Sequence, residues 1–188
     1  MNILLGVTGS VAATLTPKLV NMYKEQNHDV QIIATESSLQ FIKTEYQLNG
    51  CWYLRDTTVP IFVKDDFYQP GFDIRHIQLA RWCNVMVIAP CTANTLSALA
   101  NGVCNNLLTN TVRALEWYKR IIIAPAMNCV MWENKITEMH LYKVREYYNA
   151  HIMEPVHKVL ACGEEGVGGM CDIKYLKQGV RWRTPIRS

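Results

Sequence analysis

Short apolar runs alternate along the chain with stretches whose apolar positions recur at about 3.6-residue spacing, the two periods of buried strand and amphipathic helix. Residues 2–7 (NILLGV) form a near-continuous apolar run that ends in the small-residue turn Thr8-Gly9-Ser10 and reads as a strand. Leu15, Leu19 and Tyr23 then repeat at helical spacing up to Gln26. Residues 29–35 (DVQIIAT) read as a second strand, with Ser37 or Ser38 placed to cap a following helix. After a less regular stretch come residues 85–90 (VMVIAP) and 121–125 (IIIAP), unbroken in their apolar character, as strands covered on both faces of a parallel sheet should be. Residues 92–101, 106–118 and 134–147 read as helices, and a short strand near Ile152 precedes a glycine-rich segment.

Strands alternating with helices through short links predict a doubly wound α/β fold, Rossmann- or flavodoxin-like, with a parallel sheet, helices on both faces and right-handed crossovers. No internal repeat, low-complexity stretch or linker interrupts the pattern, so a single domain over residues 1–188 is expected, ending in a short C-terminal tail. Ligands of such sheets sit beyond the carboxyl ends of the strands. The exits to read for chemistry are therefore residues 8–11, 35–38, 90–95 and 125–132.

Composition narrows the classes. With 188 residues, 49% hydrophobic and 19% charged, the chain has the makings of a packed core. A net charge of +3 is too small to argue for nucleic acid, and Lys174, Lys177, Arg181, Arg183 and Arg187 read as a solvated end. No apolar run approaches the roughly 20 residues of a membrane helix, and the first residues lack the basic start and long apolar stretch of a signal peptide. Seven cysteines without a C-x-x-C pair read as reduced thiols of a cytoplasmic protein. Five scattered histidines without H-E-x-x-H leave no metal site expected.

Each exit carries two readings. Gly9-Ser10-Val11 leaves the first strand, and its glycine, hydroxyl and free helix-start amides suit a phosphate, although a plain tight turn uses the same residues. G-x-G-x-x-G and its downstream acid are missing, which favours a mononucleotide over a dinucleotide. Thr92-Ala93-Asn94-Thr95 offers hydroxyls and an amide either as helix caps or to a ligand, two compatible roles. In residues 125–132 (PAMNCVMW), Met131 and Trp132 are either a core satellite or a pocket wall, and Asn128 needs polar partners if buried. His76 is a cap or surface residue, or a base, since imidazole titrates near neutrality. Residues 161–170 (ACGEEGVGGM) contain Gly163, Gly166, Gly168 and Gly169, too many for a stable helix or central strand. They read either as a surface loop with an idle thiol or as a mobile flap, at about 158–172, that carries Cys162 to a substrate.

Residues 125–132 match P-A-M-N-x-x-M-W, residues 161–170 match A-C-G-x-x-G-x-G-x-M, and residues 75–95 carry His76, Trp82 and an S/T-A-N-T-type turn. In this order and spacing, from about residue 2 to about residue 170, the chain resembles the FMN-dependent cysteine-decarboxylase flavoproteins, in the branch acting on phosphopantothenoylcysteine. The resemblance implies a carbon–carbon lyase of coenzyme A biosynthesis that converts 4'-phosphopantothenoylcysteine to 4'-phosphopantetheine. The cysteine end is oxidised to a thioaldehyde with FMN as acceptor, CO2 leaves, and the enethiol is reduced again. It assigns His76 to the oxidative half, as base or orienting group, and Cys162 to proton donation in the reductive half. Asn128 binds the substrate carboxylate, Met131 and Trp132 shape the pocket, and Lys158, Ala161 and Met170 lie in the substrate clamp. FMN falls to Gly9, Ser10 and Val11 near the phosphate, then Thr35 and Ser37, then Thr92, Ala93, Asn94 and Thr95, with Ala126 near the ring. Arg113 faces either a phosphate or a neighbouring subunit.

Two positions depart from the pattern: Val159 stands where a second basic residue is expected, and Gly169 replaces a larger residue, which predicts a looser flap. Members of this type are generally homotrimers with the flavin at a subunit interface, so His76 and Asn128 of one site can come from different chains. The alternatives on the same scaffold are a regulatory subunit of a protein phosphatase, a flavin prenyltransferase and a peptidyl-cysteine decarboxylase. The first usually carries long acidic extensions that are missing here, the second lacks the P-A-M-N-x-x-M-W segment, and the third should lack the full A-C-G clamp.

Overall fold

The computed structural model describes residues 1–46, 52–65 and 74–180. The basic positions Arg181, Arg183 and Arg187 of the expected tail lie outside them. The first half runs β1 (Asn2–Val7), a 3-10 turn (Val11–Leu15), α1 (Thr16–Lys24), β2 (Asp29–Ala34), β3 (Thr44–Tyr46), β4 (Trp52–Leu54), β5 (Pro60–Phe62) and α2 (Arg75–Trp82). It continues with β6 (Val85–Cys91), α3 (Ala93–Ala100), α4 (Leu107–Arg113), β7 (Arg120–Pro125), α5 (Cys129–Trp132) and α6 (Lys135–Tyr148). The last elements are β8 (His151–Ile152), β9 (Val156–Val159), β10 (Glu165–Gly169) and α7 (Ile173–Gly179).

The main sheet has the order β3-β4-β5-β2-β1-β6-β7-β8. From β5 to β8 its neighbours pair in parallel, Leu5 lying opposite both Ile32 and Val87. Strand alternation sends Ile3, Leu5 and Val7 to one face, against Leu19 and Tyr23 of α1 and Leu176 of α7. Leu4, Met86 and Ile88 go to the other, against α3, α4 and α6 through Leu96, Leu108 and Leu141. Covered on both sides, these strands carry no polar face, which is why their sequences are continuously apolar. The doubly wound expectation holds, with a mostly parallel sheet.

Three differences have local causes. The less regular stretch holds β3, β4 and β5, and β4 runs antiparallel to both of its neighbours, so one sheet edge is mixed. No helix follows β2: residues 36–38 make one 3-10 turn, in which the Ser38 hydroxyl donates to the Thr35 carbonyl at 2.7 Å. That side chain competes with the backbone ladder rather than capping it. The helix expected to reach Tyr118 ends at Arg113, because the chain must turn to bring Arg120 opposite Val85 in β7. Lys119 marks the turn, its ammonium bonding the Ala80 and Arg81 carbonyls at 2.6 and 3.0 Å. Among the described residues no helix is long and apolar enough to cross a membrane.

Candidate active site

Strand order reverses between β1 and β6, and their exits are fastened together. Buried Thr8 donates its hydroxyl to the Pro90 carbonyl at 2.8 Å and accepts the Thr92 N–H at 3.0 Å. Beyond it, Ser10 caps the 3-10 turn by accepting the Ala12 N–H at 3.3 Å. Thr92 caps α3 by accepting the Thr95 N–H at 3.4 Å, and the two hydroxyls bond at 3.3 Å. Gly9 passes so close to the β2 exit that a Cβ there would strike the Ser37 hydroxyl. Ser37 and Thr35 in turn share a hydroxyl–hydroxyl bond of 3.1 Å.

These exits wall two adjoining cavities that share Gly9, Thr92 and Asn94. The first, of about 660 Å³, is lined by the hydroxyls and amides of Thr35, Ser37, Thr95, Asn105, Asn106 and Asn110 together with the charged side chains of Glu36, Lys64 and Asp65. The second, of about 650 Å³, takes Ser10, Val11, Ala93 and Ala126 from the strand exits. Opposite them it gathers Asn128, Met131, Lys158, Ala161, Cys162 and Met170. Every position predicted to bind cofactor or substrate thus lines one cavity or the other, and of the expected pocket walls Trp132 lines neither.

Within the glycine-rich segment, residues 165–169 are strand and residues 161–164 form the turn that carries Cys162. β9 and β10 pair as a separate antiparallel ribbon that docks on the loop before α5. The Met127 N–H donates to the Gly168 carbonyl at 2.9 Å, and a Cβ on Gly168 would run into the Met127 carbonyl. Glycine there serves close backbone approach rather than mobility alone. A Cβ on Gly169 would strike the aliphatic stem of Lys158, so the glycine opens the groove in which that lysine lies. Val159 is 65% exposed and lines neither cavity.

At the ribbon tip one carboxylate collects three donors. Asn128 accepts the Val130 N–H at 2.8 Å as the cap of α5. Its amide donates to Cys162 Sγ at 3.3 Å and to Glu164 Oε2 at 2.5 Å. The same oxygen accepts the thiols of Cys162 at 3.5 Å and Cys129 at 3.7 Å. The Asn128 amide first, and Cys162 next, hold the Glu164 carboxyl below the usual carboxylate range. Met131 is half-exposed at the cavity wall, whereas Trp132 packs against the core, so the two readings of that pair divide between its members.

His76 stands apart and lines neither cavity. Its Nδ1 lies 2.6 Å from Asp65 Oδ2, and its backbone N–H donates to Asp65 Oδ1 at 3.2 Å. Arg113 sits exposed at the end of α4, beside Trp117 and Tyr118, away from both cavities. Sequence reasoning missed Asp65, which lies in the aperiodic stretch and carries no local signal. It also missed Glu164, whose only signal is its place two residues after Cys162, in the Glu164-Glu165 pair between Gly163 and Gly166, and it gave no role to the buried Thr8.

The Flavoprotein family profile matches residues 1–184. A phosphopantothenoylcysteine decarboxylase of Oryza sativa subsp. japonica is 38% identical over 180 residues, covering 95% of this chain and 79% of that protein. The structure of a PPC decarboxylase mutant complexed with pantothenoylaminoethenethiol superposes with a TM-score of 0.81 at 35% identity, covering 96% of each chain. The FMN binding protein AtHal3 gives a TM-score of 0.77 at 36% identity, over 96% of this chain and 94% of that one. A longer Schizosaccharomyces pombe relative, named a probable thymidylate synthase, is 41% identical over 179 residues, and the chain spans 27% of its length.

Proposed function

The chain belongs to the Flavoprotein family, and from this we infer that it is an FMN-dependent phosphopantothenoylcysteine decarboxylase, a carbon–carbon lyase of coenzyme A biosynthesis. A relative and a solved structure named for that activity, and a solved FMN binding protein, match over nearly the whole chain. The observation that carries the reading is the pair of adjoining cavities. One is walled by hydroxyls and amides, the other brings Asn128, Lys158 and Cys162 together, and they share Gly9, Thr92 and Asn94.

The residues present fit FMN. Ser37, Thr35 and Thr95 offer hydroxyls, the start of α3 offers free amides, and Gly9 leaves space that no other residue would leave. Small Ala93 and Ala126 keep the second cavity open for a flat ring. When bound, FMN supplies an electron acceptor that can return what it takes, which suits a decarboxylation with no net redox change.

The protein's part is to bind, orient and hold protons. Asn128 donates its amide to the substrate carboxylate, at the place where Glu164 Oε2 now accepts it. Lys158, with its stem along Gly169, faces the substrate phosphate as a point charge. Met131 and Met170 pack the pantothenoyl arm, and Ala161 leaves it room. Cys162 Sγ carries the proton delivered to the enethiol carbon after CO2 has left. His76 serves the oxidative half from a neighbouring subunit. Its place outside both cavities of its own chain supports a site shared between subunits, a homotrimer by resemblance, and the free cysteines among the described residues support a cytoplasmic location.

Purified protein should be yellow and should convert 4'-phosphopantothenoylcysteine to 4'-phosphopantetheine with release of CO2. Mass spectrometry of the reaction with Cys162→Ser should find the enethiol accumulating on protein that still holds FMN. Full product at the wild-type rate would remove Cys162 from the role. Sedimentation of a monomer under assay conditions would remove the trimer.

A further inference from the structure

α2 begins without a cap of its own, since Ile74 precedes it and offers no polar side chain. Asp65 takes that place from outside the helix. One carboxylate oxygen accepts the backbone N–H of His76 at 3.2 Å, while the other lies 2.6 Å from Nδ1 of the same residue. Asn110, on α4, donates its amide to that second oxygen at 2.8 Å, so the carboxylate is held from two sides. Both side chains are about a quarter exposed, at 25% and 26%, and only partly screened by water.

A carboxylate facing an imidazole nitrogen at this distance accepts, so the shared hydrogen resides on Nδ1. The neutral ring then carries no proton on Nε2, which is left as an acceptor. Nothing among the described residues bonds that nitrogen.

We propose that Asp65, braced by Asn110, is a positioning residue that holds His76 in the Nδ1–H tautomer and presents Nε2 as its proton-accepting atom. This rests on the reading of His76 as the base of the oxidative half. The same carboxylate lines the hydroxyl-walled cavity, so the orientation of the ring is tied to the wall of the proposed flavin site.

A residue that merely capped α2 would behave differently on substitution. Asp65→Asn keeps an oxygen for the backbone N–H and therefore keeps the cap. Its amide turns NH2 toward Nδ1 and moves the ring proton to Nε2, the wrong tautomer for a base. Holoprotein labelled with 15N-histidine reports this directly. In the wild type the His76 resonances should show a protonated Nδ1 and a bare Nε2, and in Asp65→Asn the pattern should reverse. The turnover number of that variant should fall about 100-fold or more with KM changed by less than about threefold. Asp65→Glu should recover part of the loss, and Asn110→Ala should lose less than Asp65→Asn. A wild-type ring protonated on Nε2, or an Asp65→Asn variant with unchanged tautomer and turnover, overturns the proposal. The first of these needs no variant to fold. If His76→Asn retains wild-type turnover, the reading of His76 as the base fails instead, and the tautomer result stands apart from it.

Discussion

Asn128 and Cys162, 34 positions apart in the chain, meet at 3.3 Å, with the asparagine amide donating to the cysteine sulfur. Asn128 is fixed because it caps α5, and Cys162 is carried to it by the β9–β10 ribbon docked on the preceding loop. Glu164 completes the contact by accepting from both side chains. A carboxylate already satisfies the Asn128 amide, and the proposed substrate brings another to replace it.

Asn128→Asp substitutes an acceptor for that donor and sets a second carboxylate beside Glu164. A hydrogen bond to a charged group contributes about 1.5–3 kcal/mol, so kcat/KM should fall about 10- to 100-fold. FMN content should not change, because no predicted flavin contact is touched. Steady-state kinetics with flavin quantified by absorbance measures both, and an unchanged kcat/KM would contradict the assigned role of Asn128.

Gly168→Ala forces a methyl group against the Met127 carbonyl. Overpacking of this kind costs about 1–3 kcal/mol. Here the expected strain lifts the ribbon off the loop before α5 and separates Cys162 from Asn128. Hydrogen exchange should show faster exchange of the Met127 amide, which now donates to Gly168. Turnover should fall with it, and unaltered protection at Met127 would count against the docking argument.

Thr8→Val keeps the shape of a buried side chain and removes the hydroxyl that joins the β1 and β6 exits. The Thr92 N–H is left without that partner, at a cost of about 1–3 kcal/mol. For a chain of this size each kcal/mol lowers the melting temperature by about 2–4 °C. Thermal unfolding should register that drop, together with weaker FMN retention. A melting temperature within a degree of wild type would show that water replaces the lost bond.

Burial pushes the Cys83 thiol up to about 11, Cys91 to about 12 and Cys171 to about 11, with the charge of Asp172 adding to the last. These values lie above the ordinary 9.0, so the folded state holds the protons more tightly than the unfolded chain. The associated stability is fully present below about pH 9 and is lost as pH rises through the folded values. Melting temperature should therefore decline from pH about 9 upward. Native alkylation near pH 8 should label the exposed Cys104 and Cys162 first and leave the three buried thiols for the unfolded state. Rapid labelling of Cys91 in the native protein would refute the burial argument.

Much of the fold was legible because the central strands are covered on both faces. Residues 3–7 and 85–90 had to be apolar throughout, and no half-exposed strand or surface helix reads that way. The edge strands β3, β4 and β5, only three residues each, are too short to show any period. The glycines of residues 161–170 pointed to mobility, whereas Gly168 and Gly169 are where another chain segment passes within contact distance. Composition records the lack of a side chain and cannot say whether the space goes to motion or to a neighbour.

The sequence by itself determined the doubly wound sheet, the exits that carry ligand chemistry and the motifs at residues 125–132 and 161–170, because strand burial and helix amphipathicity are properties of each segment read alone. Only the tertiary structure decided which exits meet. It set Glu164 between Asn128 and Cys162, fastened β1 to β6 through Thr8, and gave His76 to Asp65 rather than to either cavity. Apart from Cys162 with Glu164, only 2 positions apart, such pairings join residues 11 to 82 positions apart, as for Asp65 with His76 and Thr8 with Pro90. They follow from strand order and the docking of the ribbon, and no local window of sequence contains that information.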